Sequence, residues 1–130
     1  MKLLVVLAVL IDCLKCICEH ESGCKAIGCH MDVGSLSCGY YQIKIAYYED
    51  CGQPGKQAGE STETAWKRCA DDYSCSTQCV NAYIKRYSSR CAGMGECEKT
   101  SRLHNGGPNG CKASGTVGYW NRIKACCGCT

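Results

Sequence analysis

Phenylalanine is absent from this chain, and large aliphatic side chains are few. A sequence of 130 residues built this way can bury only a limited apolar core. No apolar run reaches the roughly 20 residues that a bilayer span needs, which excludes stable membrane insertion through a helix. A dominant charge is missing too. Fifteen Lys and Arg face twelve Asp and Glu, for a formal charge of +3. That allows weak attraction to an anionic surface but excludes the basic stripe of a nucleic-acid binder. Internal repeats and low-complexity segments are lacking, so the length fits one domain.

Cysteine is what the chain has in excess, with sixteen residues. This is the composition of a disulfide scaffold. Cross-links restrict the unfolded ensemble and offset a small core, by about 2–4 kcal/mol each before strain. Sixteen is an even count, so eight bridges can form, though spacing alone gives no connectivity. Zinc is the competing reading, because Cys13, Cys16 and Cys18 stand at ligand-like spacings.

The N-terminus bears on that choice. Lys2 precedes the short apolar run Leu3 to Ile11, the pattern of a secretory leader. Residues 1–11 are read as this leader and residues 12–130 as the mature domain, although no clean small-residue cleavage motif precedes Asp12. Losing Lys2 with the leader leaves a charge of +2. A buried strand is the other reading of so short a run. Export to an oxidising, extracellular compartment favours disulfides over zinc.

Residues 13–24 read as a helix, with Cys13, Ile17, Glu21 and Cys24 sharing one face. Residues 29–44 read as a hairpin or small irregular sheet punctuated by Gly34 and Gly39. A short helix is expected over 45–50 and a polar glycine-rich loop over 52–62. The helical pattern over 63–90 is the strongest in the chain. Another helix is expected over 94–103, then a loop without regular structure in "HNGGPNG", residues 104–110. The tail begins as a short helix and ends in cysteines.

Glu21 shares its stripe with apolar residues. Partial burial disfavours a charged carboxylate and raises its pKa, the condition for a general acid. Glu19 points elsewhere, as a solvated charge. Asp32 lies in the segment between Cys29 and Cys38. A helix Glu with an ionised Asp on an adjoining hairpin is the two-carboxylate arrangement of glycoside hydrolysis. Two structural acids would fit the same pattern.

The blocks "CLKCICEHESGC", "GCHMDVGSLSCGYYQIK", "AYYEDCG", "CADDYSCSTQCVNAYIKRY" and "HNGGPNGCK…GYWN" are more specific. In this order, from Cys13 to about Asn121, they resemble the signature blocks of the invertebrate-type lysozyme and destabilase family. The resemblance implies a small, disulfide-rich α+β fold, mainly short helices with a small antiparallel hairpin. It implies cleavage of the β-1,4 bond between N-acetylmuramic acid and N-acetylglucosamine in bacterial peptidoglycan, with no cofactor. The family's proton donor falls on Glu21. Its nucleophile or charge stabiliser falls on Asp32.

Saccharides need hydrogen-bonding groups and flat apolar faces. "KIAYYED" offers Lys44, Tyr47, Tyr48 and Asp50, and "HNGG" offers His104, Asn105, Gly106 and Gly107. The resemblance adds Tyr73 and Lys112. Core packing is the competing reading for the tyrosines, and a turn role for His104. Some family members are described as isopeptidases that cut γ-glutamyl-ε-lysine links with a serine and a lysine. The matching positions are Ser35 and Lys44. The family pattern also implies the disulfides Cys18–Cys24, Cys29–Cys38, Cys51–Cys79, Cys69–Cys75, Cys13–Cys97 and Cys91–Cys111. It leaves Cys16 to join Cys126, Cys127 and Cys129. The loop 52–65 is longer than is common in the family. Whether the role is digestion or antibacterial defence stays open, as does a wall-binding protein without catalysis. No feature of the sequence fixes an oligomeric state.

Overall fold

The computed structural model describes residues 2–130, with side chains from Leu10 onward except Ile11. The side chains of the expected leader, Leu10 apart, lie outside the described residues. The first element, α1, spans Lys2–Ser22. The apolar run therefore continues into a helix and is not a strand. Cys13 and Ile17 are fully buried, Glu21 is half-buried and Glu19 is exposed, which is the four-residue stripe of one helix face. The helix stops two residues short of the expected end. Gly23 and Cys24 take φ of +70° and +57°, a left-handed stop that glycine accepts readily. Among the described residues no helix is long and apolar enough to cross a membrane.

The chain forms two compact units, one comprising residues up to His20 with Ile84–Thr130, the other Glu21–Tyr83. In the first unit, α1 is tied by Cys13–Cys97 to α5, Glu96–Gly106, and by Cys16–Cys126 to α6, Val117–Cys127. Cys91–Cys111 and Cys127–Cys129 complete its cross-links. Helices α5 and α6 pack together, and Leu103, Tyr119, Trp120 and Ile123 on them are buried. Arg102 organises the connection, reaching Thr116 Oγ1, Glu98 Oε2 and the Ala113 carbonyl at 2.9, 2.9 and 3.2 Å. The first three residues of "HNGGPNG" are helical, contrary to expectation. Gly107 closes α5 by donating its N–H to the Leu103 carbonyl. Helix formation by the charged residues upstream carries through His104 to Gly106.

In the second unit, β1, Cys29–Asp32, pairs antiparallel with β2, Ser35–Cys38. Cys29–Cys38 closes the open end of this hairpin. A bridge between Cys38 and Ile43 then turns the chain back towards α2, Ile45–Asp50. The glycine at residue 39 is required here. A Cβ would meet the Ala70 carbonyl oxygen at 1.8 Å, and φ is +76°. That close approach lets Tyr40 N–H donate to the same carbonyl at 3.1 Å. Trp66 secures the other side by donating its indole N–H to the Ile43 carbonyl.

The single helical pattern over 63–90 resolves into two helices, α3, Thr62–Ala70, and α4, Tyr73–Tyr87, followed by a short 3-10 turn. Asp71 and Asp72 make the break. Asp72 Oδ2 accepts from Cys75 N–H at 2.8 Å, an N-cap for α4, and Asp71 Oδ1 accepts from Gly28 N–H. Cys69–Cys75 clamps the two helix ends, and Cys51–Cys79 ties the end of α2 to α4. Cys18 and Cys24 are also disulfide-bonded, and no cysteine is free.

Candidate active site

Glu21 stands one residue from the end of α1, and that end is held locally. Ser22 Oγ donates to the Tyr40 carbonyl at 2.7 Å and accepts from Lys25 N–H at 3.1 Å. The carboxyl lies within electrostatic reach of Tyr47, whose ring stacks on Tyr83 with centroids 3.7 Å apart. Burial first, then Tyr83 and Glu21, hold the Tyr47 phenol well above its ordinary pKa. Glu21 is thus a half-buried residue within electrostatic reach of the buried Tyr47.

Asp32 ends β1, directly opposite Ser35 across the Val33-Gly34 turn. The bridge at Cys38 and Ile43 delivers Lys44 to the same place. Lys44 Nζ donates to the Asp32 carbonyl at 2.9 Å and to Ser35 Oγ at 2.7 Å, and it lies 3.8 Å from Asp32 Oδ2. Ser37 Oγ donates to Asp32 Oδ2 at 3.5 Å. Asp32 is mostly exposed, and its two side-chain partners are a cation and a hydroxyl donor. Ser37 carries no motif of its own. The signal that finds it is the two-residue spacing from Ser35 along β2, which puts both hydroxyls on one face.

The expected sugar ligands divide by environment. Tyr48 is fully buried and its hydroxyl donates to the Pro54 carbonyl at 2.7 Å. Tyr47 is buried and one face of its ring is taken by Tyr83. Both rings pack in the core. Asp50 is half-buried. Tyr73 is 47% exposed, edge-on to Tyr40 and stacked beside Tyr41, so part of its ring is open to solvent. His104, Asn105, Gly106, Gly107 and Lys112 belong to the other unit. His104 is half-buried, while Asn105 and Lys112 are exposed. A Cβ at residue 106 would meet Thr116 Cγ2 at 2.5 Å, so this glycine allows close packing.

The sulfurs of Cys97, Cys127 and Cys129 cluster within 4.8 Å, but all three are in disulfides and offer no thiolate to a metal. A cavity of about 230 Å³ is lined by Pro54, Gly55, Arg68, Asp72 and the Cys69–Cys75 bridge, and neither Glu21 nor Asp32 borders it.

Among the described residues, disulfide-tied helices and a two-strand antiparallel hairpin make up a small α+β fold of the lysozyme class. The destabilase family model matches residues 11–126. Invertebrate-type lysozyme 3 of Caenorhabditis elegans is 70% identical over 121 residues, covering 92% of this chain and 87% of that protein. A lysozyme of Meretrix lusoria is 51% identical, covering 90% of this chain and 89% of its own length. The crystal structure of Tapes japonica lysozyme superposes with a TM-score of 0.79 at 50% identity, over 92% of this chain and 94% of that one. The chain belongs to the invertebrate-type lysozyme and destabilase family, and it is a lysozyme-class glycosidase.

Proposed function

We propose that this glycosidase cleaves the β-1,4 bond between N-acetylmuramic acid and N-acetylglucosamine in bacterial peptidoglycan, with Glu21 as general acid and Asp32 as nucleophile or charge stabiliser. The observation that carries the reading is the contrast between the two carboxyls. Glu21 is half-buried beside Tyr47, whereas Asp32 is open and faces Lys44 and Ser37. A carboxyl at a helix end and a second one at a hairpin tip are the two groups that glycoside hydrolysis uses. In a retaining sequence Glu21 protonates the leaving oxygen while Asp32 attacks or shields the anomeric carbon. Glu21 then takes a proton from the incoming water. Within the second unit, Tyr73, Lys44 and Asp50 are proposed as groups that hold the glycan. His104, Asn105, Gly106, Gly107 and Lys112 of the first unit are each proposed as a sugar ligand on the sequence and its family resemblance alone.

Residues 1–11 are proposed as a secretory leader and residues 12–130 as the mature, extracellular enzyme. The disulfide content supports this, since such bridges persist in oxidising compartments. The deciding experiment is lysis of a Gram-positive wall suspension, followed by turbidity. Glu21→Gln and Asp32→Asn should each slow clearing by at least about 100-fold with the fold intact. Wild-type rates in both variants would refute the assignment of these two acids, whereas a wild-type protein that clears no walls would leave a wall-binding role.

The 2.7 Å contact between Ser35 Oγ and Lys44 Nζ favours a second reading, hydrolysis of γ-glutamyl-ε-lysine isopeptides. Ser35 Oγ would attack the γ-carbonyl as Lys44 takes its proton and passes it to the departing ε-amine, leaving a γ-glutamyl ester on Ser35. Water, deprotonated by Lys44, would then cleave that ester to free the γ-carboxyl and restore the Ser35 hydroxyl. The reading needs Lys44 as a neutral amine, the form in which a lysine can take the serine proton.

A further inference from the structure

Val33 stands at the tip of the hairpin in a conformation that disfavours it. Val33 and Gly34 form a two-residue turn with φ of +48° and +82°. Positive values at both positions define a type I′ turn, which prefers Asn-Gly. Gly34 suits the turn. A β-branched residue at positive φ is an outlier. Nothing in the free protein offsets the strain by packing, because Val33 is 98% exposed. Met31, two residues earlier, is 73% exposed. The turn is nonetheless held in place by four ladder pairs and by Cys29–Cys38. Strain of this kind persists where the surroundings over-determine it, and it concentrates at functional sites. Here it places an isopropyl group in water on the residue that follows Asp32.

We propose that Val33 is a specificity-determining residue that packs against a methyl group of the muramoyl ring. The inference rests on the reading of Asp32 as the group beneath the anomeric carbon. A sugar ring covered with hydroxyls offers few apolar substituents. The muramoyl residue has two methyls, one on the lactyl ether and one on the acetamido group. Contact with either would remove the valine side chain from water only in the complex. An apolar contact of this size discriminates substrates by about tenfold to a hundredfold.

Two variants separate contact from strain. Val33→Asn relieves the turn, so the thermal midpoint should rise by about 3 °C. The same change should lower kcat/KM on muramoyl-containing glycan about tenfold, chiefly through KM. Val33→Thr keeps the branched shape and the strain but exchanges a methyl for a hydroxyl. It should lower kcat/KM without raising the midpoint. A loss confined to muramoyl glycan identifies the lactyl methyl. An equal loss on N-acetylglucosamine oligomers, which lack the lactyl ether, would show that Val33 does not discriminate and would overturn the specificity role. Calorimetric affinities of Glu21→Gln and Glu21→Gln/Val33→Asn for the same glycan form an independent arm. The double variant should bind about tenfold more weakly. Should Glu21→Gln lyse walls like wild type, the acid assignment falls, and the affinity comparison still decides the Val33 contact. Unchanged kcat/KM in both Val33 variants together with unchanged affinity overturns the proposal.

Discussion

Lys44 Nζ and Ser35 Oγ are joined by a 2.7 Å hydrogen bond at the mouth of the β1–β2 hairpin. The same ammonium sits 3.8 Å from the Asp32 carboxylate. One lysine thus serves a serine that carries no charge and an acid that does. The two roles separate by mutation. Ser35→Ala deletes the hydroxyl but neither carboxyl, so wall lysis should stay within about threefold of wild type. Cleavage of a γ-glutamyl-ε-lysine substrate should vanish, because no other group supplies the attacking oxygen. Persistent isopeptide cleavage in Ser35→Ala would remove Ser35 as nucleophile. An inert wild type would leave a plain lysozyme.

Lys44→Ala should reduce both activities. It removes the cation facing Asp32 and the donor to the Asp32 carbonyl that fixes the hairpin tip. A loss of about tenfold in wall lysis is expected, with Lys44→Arg recovering part of it. Full lysis by Lys44→Ala would show that Asp32 needs no neighbouring cation.

Arg68 and Glu60 pin the long loop before α3, with Arg68 also donating to the Gly55 carbonyl at 2.9 Å. Hydrogen bonding from Arg68, then from the Gln57 N–H, lowers the Glu60 pKa to about 2 from an ordinary 4.5. The folded state therefore keeps Glu60 ionised at a pH where the unfolded chain binds a proton. Its contribution is complete above about 4.5 and is lost as pH falls through about 2. The destabilisation caused by Glu60→Gln should be present at pH 6 and should shrink across that window. Arg68 is open to solvent, so the effect is modest and salt-sensitive. Urea melts of the two proteins at several pH values measure it, and a difference that does not change with pH would contradict the pairing.

Ser61 caps α3, its Oγ accepting from Thr64 N–H at 3.1 Å. Ser61→Ala should destabilise the protein by about 1 kcal/mol, and Ser61→Asp should restore it. Equal urea midpoints for Ser61→Ala and wild type would show that the cap contributes nothing.

Gly39→Ala should be far more damaging. The added Cβ meets backbone at 1.8 Å, and the positive φ adds its own cost. A loss of about 3–5 kcal/mol is expected, read as a low yield of folded protein or a much lower urea midpoint. Gly52, with φ of +94° and open space around its Cβ, is the control that carries only the backbone cost. Equal losses at the two sites would show that the contact with Ala70 is unimportant.

The stripe of Cys13, Ile17 and Glu21 was legible in the sequence, because a helix repeats its face at fixed spacing whatever surrounds it. The hairpin was legible from Gly34 and Gly39, which punctuate the segment 29–44, and from the alternation of Tyr41 and Ile43 with Gln42 and Lys44 after them. The break between α3 and α4 was not read, although Asp72 three residues before Cys75 is a capping signal. A continuous apolar period masks such a cap, since both helices bury the same kind of residue. Tertiary structure alone decided the fate of the tyrosines. Local pattern does not say whether an aromatic ring faces core or solvent. The decision came from Tyr83 stacking on Tyr47, Pro54 accepting from Tyr48, and Tyr73 being left half open. The gathering of Asp32, Ser35, Ser37 and Lys44 was likewise decided by the Cys38–Ile43 bridge, which folds the chain back at a point no periodicity marks. Sequence determined which chemical groups exist and which helix face they share. Long-range pairing determined which of them meet, because that depends on backbone contacts between segments far apart along the chain.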